Sequence, residues 1–126
     1  MLKETAPDPI NPEALATARA AALSDEHLRL MVETFAALAD MTRARILHAL
    51  IIQPLCVRDL AHLTGISESG VSHQLRVLRD QRLVKARREG NVSYYEIDDH
   101  HVAALFREAD YHIDHVRQGL PDHPYP

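Results

Sequence analysis

Residues 57–81 read VRDLAHLTGISESGVSHQLRVLRDQ, and this stretch predicts two short helices joined by a sharp turn. Gly65 suits the turn because it has no side chain to oppose a left-handed backbone. Ser67 is typical of a helix N-cap, since its hydroxyl can accept from a free amide of the first turn. Apolar residues then recur at helical spacing: Val71, Leu75 and Leu78. Two short helices around a glycine turn are the helix-turn-helix pattern.

The second helix, expected from Glu68 to about Gln81, carries hydroxyl, amide, imidazole and guanidinium groups. Hydroxyl and amide groups can donate to or accept from base edges, and guanidinium groups bind guanine or phosphate. We therefore expect this helix to contact DNA. The candidate side chains are Ser67, Ser69, Ser72, His73, Gln74, Arg76 and Arg79.

A β-hairpin is predicted directly after these helices. Two β-prone runs, residues 83–88 and 92–97, flank the turn residues Gly90 and Asn91. Basic side chains on the first strand make the hairpin a plausible wing that lies along phosphates. They are Lys85, Arg87 and Arg88.

The charge is unevenly distributed along the chain. The formal net charge is −4, but residues 41–95 hold nine basic and four acidic groups, a balance of +5. The segments before and after this region have balances of −4 and −5. A basic middle between acidic ends predicts a localised surface for a polyanion.

Three helices are expected before residue 57. Asn11 followed by Pro12 is typical of a first helix start, Ser24 of a second and Asp40 of a third, which Pro54 stops. The buried stripe of the second helix is expected to be Leu28, Met31, Val32, Phe35, Leu38 and Ala39. In the third helix we expect Ile46, Leu47, Leu50 and Ile51 to face inward, and in the fourth Leu60 and Leu63.

A final amphipathic helix is predicted from Asp98, as its N-cap, through His115. Its apolar stripe is Val102, Leu105, Phe106, Ala109, Ile113 and Val116. Potential metal ligands stand at both ends: Asp99 and His101 at the start, and His112 and His115 near the finish. The two pairs cannot meet in one chain, because eleven residues of helix span about 16 Å.

Two antiparallel copies of this helix about a two-fold axis would join the pairs. Each of two equivalent sites would then hold one carboxylate and three imidazoles, a set suited to tetrahedral Zn²⁺. The alternative is that the aspartates only cap the helix and the histidines are only solvated.

The remaining features limit the class of protein. At 126 residues we expect one main domain, with an N-terminal arm and helix over 1–23, the winged domain over 24–118 and a flexible tail over 119–126. There is no apolar run long enough for a membrane span and no signal peptide, and the single Cys56 excludes an intrachain disulfide framework. These observations predict a cytoplasmic protein without a membrane partner.

Three segments together resemble the ArsR/SmtB family. They are residues 35–47, FAALADMTRARIL, residues 56–60, CVRDL, and residues 66–78, ISESGVSHQLRVL. The wing and the Asp98–His115 stretch continue the resemblance, which covers about residues 28–118. It implies a mostly α winged helix-turn-helix with a small β-hairpin wing. It also implies a homodimer formed through N- and C-terminal helices that binds an inverted-repeat operator and is released by a metal ion.

The resemblance assigns Asp99 and His101 of one chain, and His112 and His115 of the other, to the C-terminal-helix site of the zinc-sensing branch. A second family site, for softer ions, would begin near Cys56 and Asp59. It needs several thiolates, and this chain offers one. We therefore expect that site to be absent or degenerate.

Other interpretations remain open. Ni²⁺ or Co²⁺ could be the inducer, with His100, His123 or the N-terminus completing an octahedral site. The chain could also be a winged-helix regulator that does not respond to metal. A zinc hydrolase is disfavoured, because four protein ligands leave no position for water and no nucleophile motif is present. We therefore expect a regulator and not an enzyme.

Overall fold

The computed structural model describes residues 6–119 and 121. Their backbone contacts divide the chain into two compact units, Met1–Val32 and Glu33–Pro126. The elements in chain order are α1 (Pro12–Ala21), α2 (Asp25–Leu38), α3 (Met41–Ile52), β1 (Leu55–Cys56), α4 (Val57–Thr64), α5 (Glu68–Asp80), β2 (Val84–Glu89), β3 (Val92–Ile97) and α6 (His100–Gln118).

The predicted helix starts are confirmed for α1, α2, α3 and α5. The Asn11 side chain accepts from Ala14 N, Ser24 Oγ from His27 N at 3.1 Å, and Asp40 from Arg43 N at 3.0 Å. Each of these bonds satisfies an amide that the first helical turn leaves without an intrahelical partner.

The predicted N-cap of the last helix was wrong by one residue. Asp98 N–H donates to Leu83 O at 3.1 Å, so the hairpin ladder extends through Asp98. Asp99 is the N-cap instead, and its Oδ1 accepts from His101 N at 2.8 Å and from Val102 N at 3.3 Å.

The sheet has three antiparallel strands in the order β1-β3-β2. Strands β2 and β3 form the predicted hairpin, with Val84 opposite Ile97 and Glu89 opposite Val92. Strand β1 was not predicted; its two residues, Leu55 and Cys56, pair with Tyr95 and Tyr94. This short strand attaches the wing to the start of α4.

The core of the second unit lies between α3, α4, α5 and the sheet. Ile46 and Leu47 from α3, Leu60 from α4 and Leu78 from α5 have no exposed surface. The remaining buried apolar residues are Ala37, Leu50, Val71, Leu75, Leu83, Val84 and Val102. Val71, Leu75 and Leu78 were all expected inside, so the inner face of α5 is confirmed.

Several residues predicted to be buried are exposed in the single chain. On α2 the exposed ones are Leu28, Met31, Val32 and Phe35; on α4, Leu63; on α6, Leu105, Ala109, Ile113 and Val116. Ala39, just after α2, is exposed as well. Only Val102 and Phe106 of the α6 stripe pack against the core. The prediction that these apolar faces are buried is therefore wrong for the single chain.

Within residues 6–119 and 121, no helix is long and apolar enough to cross a membrane.

Candidate nucleic-acid interface and metal centre

The turn between α4 and α5 has the geometry that the sequence predicted. Gly65 is left-handed, with φ of +75°, and ends α4. Ser67 Oγ accepts from Gly70 N at 3.0 Å. A side chain at position 70 would have its Cβ 3.2 Å from Ser67 Oγ and 3.3 Å from the Ile66 side chain. Gly70 therefore lets the turn pack closely on the first turn of α5.

The side chains of the second helix and its cap that were predicted to contact DNA differ in how exposed they are. Those that lie exposed, and so are available to a ligand, are Ser69, Ser72, His73, Arg76 and Arg79. Ser67 is exposed too, but its hydroxyl caps the helix and lies 3.1 Å from Ser69 Oγ. Gln74 is half-buried, and its Oε1 accepts from Arg43 Nη1 at 2.9 Å.

A polar hollow of about 460 Å³ separates α5 from the wing, lined by Ser72, Arg76, Arg79, Asp80 and Tyr95. Two guanidinium groups, a hydroxyl and a phenol next to one carboxylate give the hollow an excess of cationic donors. Such a set can bind phosphate oxygens. Tyr95 was not among the sequence candidates, because only the folded sheet brings β3 beside α5.

The wing has two different faces. Directly opposed residues of an antiparallel pair share a face, and successive residues alternate. Arg88, opposite Ser93, therefore lies on the same face as Tyr95, which borders the hollow on α5. Lys85 and Arg87 lie on the other face.

Acidic neighbours neutralise the second face. Arg87 contacts Glu89 at 2.8 Å and Glu96 at 3.4 Å, and its guanidinium lies 5.4 Å from the Tyr94 ring centroid. The hydrogen bond that Arg87 donates to Glu89 is the main cause that raises the pKa of Arg87 above its ordinary value. Arg88 only donates to Gly90 O, at 3.2 Å, and keeps its charge unpaired within the described residues.

The four candidate metal ligands lie on α6 as two separate pairs. The helix is continuous from His100 to Gln118, so the eleven residues from His101 to His112 hold the pairs about 16 Å apart along the axis. Among the described residues of one chain, no three His, Cys, Asp or Glu side chains are close enough to share an ion. The structure thus places the Asp99 carboxylate on the backbone N–H of His101, and it places this pair far from His112 and His115.

The individual side chains suit metal ligation. Both capping bonds of Asp99 use Oδ1, which leaves Oδ2 available to a ligand. His112 is exposed. His115 Nδ1 is shielded from solvent without a hydrogen-bond partner among the described residues, a costly state for a polar nitrogen. His100 and His101 have ring centroids 4.0 Å apart.

The second family site, for softer metal ions near Cys56 and Asp59, lacks a full set of ligands among the described residues. Cys56 is half-buried with a free thiol, and Asp59 lies exposed in the first turn of α4. Neither belongs to a group of three ligands within residues 6–119 and 121. His123, the other candidate for an extra ligand, lies outside the described residues.

Comparison with known proteins gives consistent matches. The family described as "Bacterial regulatory protein, arsR family" matches residues 40–86. A "Transcriptional repressor SmtB homolog" of Synechocystis sp. is 50% identical over 97 residues, covering 77% of this chain and 71% of that protein.

Solved structures agree with this match. A homodimeric winged helix-turn-helix DNA-binding domain from Mycobacterium bovis has a TM-score of 0.72 and 32% identity, over 82% of this chain and 99% of that one. The antimony-specific transcriptional repressor AntR has a TM-score of 0.67 and 34% identity, over 89% and 99%. This chain therefore belongs to the ArsR family of bacterial regulatory proteins, and it is a DNA-binding transcriptional regulator with a winged helix-turn-helix fold, not an enzyme.

Proposed function

We propose that two copies of this chain form a metal-responsive repressor that binds an inverted-repeat operator without metal and leaves it when Zn²⁺ binds. The observation that carries the proposal is the placement of two ligand pairs at opposite ends of one continuous helix, α6. The two pairs are too far apart to bind one ion within a single chain, but an antiparallel partner helix would bring a pair from each chain together.

Dimerisation is supported by apolar surface that the single chain leaves uncovered. On α6, Leu105 is 43% exposed, Ile113 49% and Val116 60%. Isolated exposed apolar residues are ordinary, but a stripe at helical spacing favours a partner surface. The two-fold partner is favoured because the similar Mycobacterium bovis domain is homodimeric.

In that dimer, Asp99 and His101 of one subunit and His112 and His115 of the other would hold one ion. One carboxylate and three neutral imidazoles match the preference of Zn²⁺ for four ligands. A two-fold axis generates two such sites. The similarity to an antimony-specific repressor raises the alternative of a metalloid site made of several thiolates. This alternative is disfavoured because the chain has one cysteine.

The proposed release from DNA follows from the spacing of the two α5 helices in the dimer. Each α5 must reach a half-site about one helical turn of DNA from the other. Four side chains from two subunits that hold one ion fix the relative position of the α6 helices, and with them the spacing of the α5 helices. The coupling is reciprocal, so operator DNA must weaken Zn²⁺ binding by the same factor. Because its operator is genomic, we expect the protein in the cytoplasm.

Zinc titration of the protein–DNA complex tests the proposal. We expect Zn²⁺ to lower the affinity of wild-type protein for its selected duplex about tenfold to hundredfold. His101→Ala and His112→Ala should abolish this response without changing metal-free DNA affinity. An unchanged affinity in wild type, or a full response in both variants, would contradict the proposal.

A second candidate inducer is Ni²⁺ or Co²⁺. The observation that favours it is the contact between the His100 and His101 rings, which places an additional imidazole beside a proposed ligand. The absorption spectrum of the Co²⁺ complex distinguishes the two, because tetrahedral Co²⁺ absorbs far more strongly than octahedral Co²⁺. His100→Ala should leave a four-ligand site intact but weaken a larger one.

A further inference from the structure

Arg43, in the first turn of α3, makes four polar contacts that the sequence did not suggest. Its Nε donates to Ala37 O at 2.7 Å and its Nη2 to Ala36 O at 3.4 Å, at the C-terminal end of α2. Its Nη1 donates to Gln74 Oε1 at 2.9 Å and lies 4.0 Å from Asp40. The side chain is only 18% exposed.

This set of contacts needs an arginine. A guanidinium group has five N–H donors in a rigid plane, whereas an ammonium group is a compact charge on a flexible stem. The same group donates to two carbonyls at the end of α2, of which Ala36 O also accepts from Ala39 N, and it still reaches across to α5. The side chain therefore ties three helices together at one point.

Gln74 is the partner on α5, and the chemistry of arginine fixes the orientation of its amide. Arginine only donates, so the amide atom that faces Arg43 must be the oxygen. Gln74 is half-buried between Val71 and Leu78, which have no exposed surface. The amide oxygen thus already has a charged partner within the protein.

We propose that Arg43 and Gln74 form a positioning contact that sets the angle at which α5 meets DNA, with Arg43 itself never touching the nucleic acid. Apolar packing of α5 is non-directional and permits small rotations about its axis. A charge-assisted hydrogen bond to a planar group has a preferred direction. The contact thereby restricts the rotation that decides which side chains of α5 face the base edges.

The proposal rests on the DNA-binding part of the proposed function and not on the metal response. The probe is the duplex that wild-type protein enriches from a randomised pool, with a shuffled duplex of equal length and composition for comparison. If no duplex is enriched, sequence-specific binding is wrong and the proposed function fails. If a duplex is enriched, the variants below test Arg43 alone, without metal.

The variants are Arg43→Lys, Gln74→Ala and the double variant. Arg45→Lys is the matched control, since it makes the same change two residues along α3 at an exposed position. We expect each single variant to bind the enriched duplex about tenfold more weakly, because part of the binding free energy must then be used to hold α5 at its binding angle. The double variant should bind no more weakly than the weaker single variant, because both changes remove the same contact.

Further measurements distinguish a positioning role from direct contact with the bases and from misfolding. Affinity for the shuffled duplex should stay within about twofold of wild type and the salt slope should be unchanged, because no phosphate contact is lost. The base preference should fall across the whole half-site. Gln74→Ala leaves the Arg43 carbonyl bonds in place, so its circular dichroism should match that of the Arg45→Lys control, and its melting temperature should fall only by the few degrees expected for one lost hydrogen bond.

Loss of preference at only one or two base pairs in Gln74→Ala, with Arg43→Lys unaffected, would mean that Gln74 reads bases directly and would overturn the proposal. Additive losses in the double variant would overturn it as well. A salt slope lowered by about one in the uncharged variant Arg43→Gln would show that Arg43 binds a phosphate.

Discussion

Asp99 Oδ1 accepts the backbone N–H of His101 at 2.8 Å, so the carboxylate that caps α6 is bonded to the main chain of the residue with which it is proposed to hold an ion. Capping and ligation are both properties of a carboxylate, but only capping is equally well performed by an amide oxygen. This difference makes the two roles of Asp99 experimentally separable.

Asp99→Asn should abolish the zinc response while the free energy of unfolding changes by no more than a few tenths of a kcal/mol, because asparagine caps as well as aspartate. Asp99→Ala should abolish the response and lower the free energy of unfolding by about 1 kcal/mol. Urea denaturation at one fixed protein concentration, with zinc titration of the same samples, measures both. A full zinc response in Asp99→Asn would remove Asp99 from the ligand set.

Mixing subunits should restore a site that neither parent has. In a heterodimer of His101→Ala and His112→Ala chains, one site loses both histidines and the other keeps all four ligands. After random mixing of equal amounts, we expect about one tightly bound zinc ion for every two dimers. Equilibrium dialysis measures this value, and each parent alone is the control. No gain on mixing would contradict ligands drawn from two chains.

Arg88 should contribute more to DNA binding than Arg87. Arg87 is already paired with Glu89 and Glu96, whereas Arg88 lies on the wing face that borders the hollow on α5. Arg88→Ala should reduce the salt slope of the binding constant by about one, the value for one lost phosphate contact. Arg87→Ala should change it by less than half as much. Equal slopes for both variants would contradict the assignment of the two faces.

Ser67→Ala should destabilise the protein by about 1 kcal/mol, because the amide of Gly70 loses its acceptor. Ser72→Ala is the matched control: it removes the same hydroxyl from an exposed site on the helix, and we expect an unchanged free energy of unfolding with weaker DNA binding. Urea denaturation curves measure the free energy of unfolding of both variants. Similar stability of the two variants would mean that the cap adds nothing.

Ile113→Asp should convert dimers to monomers, because it places a charge in the apolar stripe of α6. Gln118→Asp adds the same charge five residues along, about 140° around the helix, and should remain dimeric. Sedimentation velocity measures the difference. A dimeric Ile113→Asp protein would show that this part of α6 is not the subunit contact.

Helix starts could be predicted from the sequence because a cap is local. The hydroxyl of Ser67 and the amide it receives are three residues apart, so the pattern contains the whole interaction. The error at Asp98 has a nonlocal cause, since its backbone N–H belongs to the hairpin through Leu83. Periodicity likewise gave the apolar faces of α2 and α6 but not what covers them.

The contacts between distant segments could not be predicted. Arg43 and Gln74 are 31 residues apart, and nothing in either local pattern links them. The same holds for Tyr95, which reaches the hollow beside α5 only through the strand order β1-β3-β2. The proposed ligands His112 and His115 could be picked out because they are three residues apart on one helix, whereas their union with Asp99 and His101 stays a prediction that requires a second chain.

The strand order has one more consequence, for the behaviour of the protein in solution. Because β3 is central, β2 is an edge strand, and five of its six residues are exposed. A bare edge invites strands of other molecules to pair with it, and charged side chains discourage this. Replacing Lys85, Arg87 and Arg88 together would therefore leave a protein that is prone to aggregate. Its low solubility would prevent a measurement of its DNA affinity.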